Sequence, residues 1–189
     1  MHPGPFWVDK KGNIWMAYGF FRYDLQGLDA RGNPIYQADK ITVLDPPQGV
    51  KKIARVVYLD DSDTLVVADE GRDMRHIGRV FVCKGYLAGN RQTISFESAA
   101  GREAACVAAA GDYVFTGGWK ERGRVFVNRL SDGAAVGVFD PGPAVGGVEN
   151  TGWIDILTGI SAHRRADGEY LIFVEEDYKA KVLLYRWKP

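Results

Sequence analysis

Two cysteines, three methionines and three histidines are spread over 189 residues, so thiol-rich and histidine-rich metal chemistry has little to work with. Cys83 follows Phe81-Val82 and Cys106 sits between Ala105 and Val107, both apolar settings without Cys-x-x-Cys or Cys/His spacing. They read as small buried thiols, with a disulfide between neighbouring repeats as the alternative, and no residue set is assigned to a metal. Charge of a dominant sign is also missing. With 24 Lys+Arg against 24 Asp+Glu, no global pull toward nucleic acid or an anionic membrane is expected. No apolar run approaches the ~20 residues that cross a bilayer. The first six residues lack the charged and apolar regions of a signal peptide, and the compartment stays open. Helical periodicity is absent too: Gly101 interrupts the one Ala-rich stretch, from Ala99 to Ala110, whose position suits a strand better than a short helix. Neither Gly-x-Ser-x-Gly nor a P-loop occurs, and no Ser/His/Asp set can be assembled.

What the chain does have is repetition. Gly78-Arg79-Val80-Phe81-Val82 returns as Gly123-Arg124-Val125-Phe126-Val127. Around each copy the order is the same: an apolar run, a polar turn, a second apolar run, a loop, then this strand. Ile14, Leu65, Val114 and Leu171 fall at equivalent second-strand positions, a period near 50 with short β-branched and aromatic runs. That period with four strands per unit predicts an all-β fold, a β-propeller of about four blades built from antiparallel four-stranded sheets. Residues 1–189 then form one propeller-like domain, with blades near 3–48, 51–99, 103–142 and 153–189. In blade one, either Pro34-Ile35-Tyr36 or Ile41 to Leu44 supplies the fourth strand. Blade four has room for three strands and is incomplete.

An arc of four blades leaves one apolar sheet face bare at each end. The expected partners are therefore the missing blades of a parent chain or a second copy of this one, with a closed four-bladed ring as the remaining option.

Val8-Asp9-Lys10-Lys11-Gly12-Asn13-Ile14-Trp15-Met16-Ala17 resembles the hairpin of NHL-type and gluconolactonase-like propellers, and Val67-Ala68-Asp69 with Gly78-Arg79-Val80-Phe81 is similar to the next step of that repeat. The resemblance implies a blade rather than an activity. In its lactonase-like branch it also implies a divalent cation, Ca²⁺ or a similar ion, held by carboxylate and amide groups at the channel mouth.

Loops leaving second strands and entering the next blade's first strand gather on one face of a propeller. Asp69, Glu70, Trp119, Glu149, Asn150, Trp153, Asp155 and Glu175 are the ligand-binding candidates placed there. Carboxylates converging on a channel can hold a cation or work as acid and base, and the two tryptophans offer an aromatic platform. The sequence thus points to a ligand- or protein-binding scaffold, with a metal-dependent lactonase-like hydrolase as the alternative. Catalytic residues are not assigned. His76 lies in the most basic loop, and His163 is expected where blade four turns outward.

Overall fold

The computed structural model describes residues 5–69, 78–98, 106–117, 124–140, 157–176 and 181–189. Its framework is a series of antiparallel meanders. Blade one contains β1 (Phe6–Val8), β2 (Ile14–Met16), β3 (Phe21–Tyr23) and β6 (Ile41–Val43). Between the last two, β4 (Gly27–Leu28) and β5 (Pro34–Ile35) form a small separate hairpin. The fourth strand of blade one is therefore the 41–43 segment, and Pro34-Ile35 belongs to the excursion. Blade two has β7 (Ile53–Leu59), β8 (Thr64–Asp69), β9 (Arg79–Lys84) and β10 (Gln92–Glu97). Blade three has β11 (Cys106–Ala110), β12 (Tyr113–Gly117), β13 (Val125–Arg129) and β14 (Ala135–Phe139). Blade four has three strands, β15 (Leu157–Arg164), β16 (Tyr170–Glu176) and β17 (Lys181–Trp187). The fold is an all-β, four-bladed propeller arc.

Local chemistry explains the hairpins. In Asp9-Lys10-Lys11-Gly12-Asn13 the Asp9 carboxylate accepts the N–H groups of Lys11 and Asn13, the Asn13 amide and, at 2.8 Å, the indole Nε1–H of Trp15. Gly12 supplies the left-handed backbone, at φ +82°, that closes the turn. Asp29-Ala30-Arg31-Gly32-Asn33 builds the same turn between β4 and β5 with the corresponding three bonds to Asp29. One sequence phrase is thus used twice, first inside a blade and then on an exposed flap.

The core lies between blades. Each sheet has an upstream face toward the preceding blade and a downstream face toward the next. Trp7 and Trp15 on the downstream face of blade one pack on Val56, Tyr58, Leu65, Val67, Phe81 and Cys83 of blade two. Trp15 stacks on Tyr58 with ring centroids 4.4 Å apart. Blades two and three meet through Val57, Val66, Val80 and Val82 against Val107, Ala109 and Val114. Blades three and four meet through Phe115, Val125 and Val127 against Tyr170, Ile172 and Val174. Strands buried on both faces read as continuous apolar runs, which is why they show little alternation in sequence. The Ala-rich segment is strand over Cys106–Ala110, where small side chains let blades approach closely. Both cysteines are free and buried, not bridged.

Blade four differs by one residue from the sequence period. Ile14, Leu65 and Val114 lie on upstream faces, and the residue at that place in blade four is Tyr170, not Leu171. A one-residue step exchanges the two faces of a strand, so Leu171 lies on the downstream side. The five-residue turn 165–169, longer than the Gly111-Asp112 turn of blade three, absorbs the difference.

Candidate functional site

Of the residues predicted on the loop face, Asp69 and Glu175 fall within the described structure; Glu70, Trp119, Glu149, Asn150, Trp153 and Asp155 lie outside it, as does His76. Asp69 ends β8, and its two carboxylate oxygens accept the backbone N–H groups of Lys51 (3.1 Å) and Lys52 (2.8 Å). That geometry ties the entry of blade two to the exit of its second strand. Its oxygens are used in holding chain together. Glu175 is in β16, paired with Gly159 and Val182, and its side chain folds over Gly159. It borders a groove along the channel shared with Arg55 and Val107. The structure does not bring Asp69 and Glu175 into one cluster. Among the described residues no group of three or more His, Cys, Asp or Glu side chains converges to hold a metal, so the residues seen do not fit a divalent cation.

A concave site lies at the other end of the channel, where the first hairpin turn of every blade contributes. It is a pocket of about 510 Å³, within the ~300–1,000 Å³ of small-molecule sites. Trp7 to Lys10 come from blade one, Tyr58 to Asp61 from blade two, Ala109 to Gly111 from blade three and Ala162 to Ala166 from blade four. Strand geometry sets this: β1, β7, β11 and β15 line the channel, and each turns outward at the same level.

Its charges are arranged by wall. Asp60 and Asp61 stand on the blade-two side, and His163, Arg164 and Arg165 on the blade-four side. His163 is the penultimate residue of β15, beside the 165–169 turn by which blade four leaves the channel mouth. Most of these groups are engaged. Asp9 is saturated by four donors, Lys10 pairs with Asp61, and Arg165 with Glu169 at 2.8 Å. The Lys10 backbone N–H reaches Asp60 Oδ2 at 2.9 Å across the first blade junction. Asp60 Oδ1 is enclosed and has no hydrogen-bond partner.

Two tyrosines border the pocket's supports. Burial, a hydrogen bond to Asp63, and the charges of Asp63, Asp60 and Asp9 push the Tyr58 hydroxyl well above its ordinary range. Burial likewise raises the Tyr170 hydroxyl, opposed by the Asp112 N–H and the positive charge of Arg164. Asp63 is the fastener behind the blade-two turn. Against the upward pull of burial, the N–H groups of Leu87 and Ala88 and the Tyr58 hydroxyl hold its carboxyl below the usual value.

The sequence reading missed this end of the channel because it sought carboxylates on second-strand exits. The available signal was that all four first turns carry charge: Asp9-Lys10-Lys11, Asp60-Asp61, Asp112 and Arg164-Arg165.

No protein-family model matches the chain, and no curated protein matches it in sequence. Solved structures do. A chain of the mitotic checkpoint complex aligns with a TM-score of 0.57 at 10% identity, over 98% of this chain and 48% of that one. The structure of U3-55K aligns at 0.53 and 10% identity, over 96% of this chain and 50% of that one. The WD40 repeats of RRP9 align at 0.52 and 11% identity, again over 96% and 50%. The likeness is one of fold. All three neighbours are WD40-type β-propellers, so the resemblance to propeller repeats holds at the level of the blade. The chain spans about half the length of each.

Proposed function

We propose that this chain is part of a β-propeller binding scaffold, an arc that further blades complete into a ring whose loops hold a protein partner or ligand. The observation carrying this reading is the chemistry of the two end faces. On the upstream face of blade one, Phe6, Val8, Ile14, Met16, Phe21 and Tyr23 occupy the places that Val56, Tyr58, Leu65, Val67, Phe81 and Cys83 occupy in blade two. The blade-two set is buried against its neighbour; in blade one Phe6 is 62% and nearby Val43 75% exposed. The downstream face of blade four is similar, with Val182 66% and Leu184 53% exposed. End repeats that face water in arrays carry polar caps. These faces carry blade-junction chemistry instead.

Blades 3–48, 51–99, 103–142 and 153–189 then act as one unit of a longer propeller, as the doubled length of the structural neighbours supports. A second copy of the chain is the other reading. One two-fold axis would set blade one on blade four twice and leave neither face bare. Protein partners are in keeping with the first neighbour's place in a complex. A lactonase-like activity of the NHL or gluconolactonase type rests on the sequence resemblance alone.

Light scattering over a range of concentrations, with and without millimolar Ca²⁺, tests the proposal. Mass rising with concentration favours missing blades, and a discrete dimer favours the second copy. A monomer that stays monodisperse at every concentration would overturn both.

A further inference from the structure

We draw no further inference here: the strongest candidate, the exposed β4–β5 hairpin of blade one, whose turn at 29–33 repeats the 9–13 turn that Asp60 of blade two holds and whose Leu28 and Ile35 stand in solvent, carries nothing because nothing in the structure shows what covers it.

Discussion

Val125 and Leu184 lie on the third strand of successive blades and on the same downstream face, yet Val125 is 0% and Leu184 53% exposed. Placing aspartate at each isolates the effect of a following blade. At position 125 the variant forfeits about 2 kcal/mol of apolar burial. It also buries a carboxylate with no partner. A buried acid has its pKa raised by about 3–5 units, and at neutral pH, where such a group ends up protonated, this costs about 4 kcal/mol. The sum, about 6 kcal/mol, consumes much or all of the ~5–15 kcal/mol stability of a domain. The sign with pH is distinctive. Because the folded-state pKa is raised, the protonated form is the one tolerated, so Val125→Asp should regain stability as pH falls toward 4 or so. Leu184→Asp should change the stability of the isolated chain by no more than about 0.5 kcal/mol, while abolishing any assembly through blade four. Urea unfolding followed by tryptophan fluorescence at two pH values measures both. A folded Val125→Asp at neutral pH, or equal losses in the two variants, would refute the assignment of buried and bare faces.

Asp63→Ala should lose about 2–3 kcal/mol in urea unfolding, since it strips the acceptor from two backbone N–H groups and from Tyr58. Because the Asp63 carboxyl is held below its usual 3.8, its contribution is present above that pH and fades as pH falls through the lower folded value; the variant should show a flatter acid limb than the parent protein. Burial pushes the Cys106 thiol up to about 12, and Cys83 is equally enclosed, so neither should react with a thiol reagent until the chain unfolds. Rapid labelling of native protein would contradict that. Removal of residues 181–189 strips β17 from β16 and should drive aggregation, measured by scattering; a monodisperse truncation would argue against the pairing.

What could be read from the sequence follows what the interior of a propeller constrains. An inner blade strand is apolar on both faces because both touch a blade, so the runs at Thr64–Asp69 and Arg79–Lys84 are visible without any structure. Turn chemistry is equally local, and the Asp-x-x-Gly-Asn phrase at 9–13 marks its hairpin through bonds made within five residues. Its second use at 29–33 is why blade one held an ambiguity: the same phrase closes a flap that is no part of the blade. Register in blade four was hidden for the opposite reason, since turn length shifts faces by one residue and leaves composition unchanged.

The candidate site was less legible because it is made by summation over distant turns. Asp60 and Arg164 are about a hundred positions apart, and nothing local in Leu59-Asp60-Asp61 or His163-Arg164-Arg165 says that they will face one pocket. Asp69 illustrates the converse error. A carboxylate on a loop leaving a second strand has the composition of a ligand, but the backbone N–H groups of Lys51 and Lys52 claim it first. The discriminating property is therefore which polar atoms the fold leaves both unclaimed and open to the channel; Asp60 Oδ1 is unclaimed but enclosed.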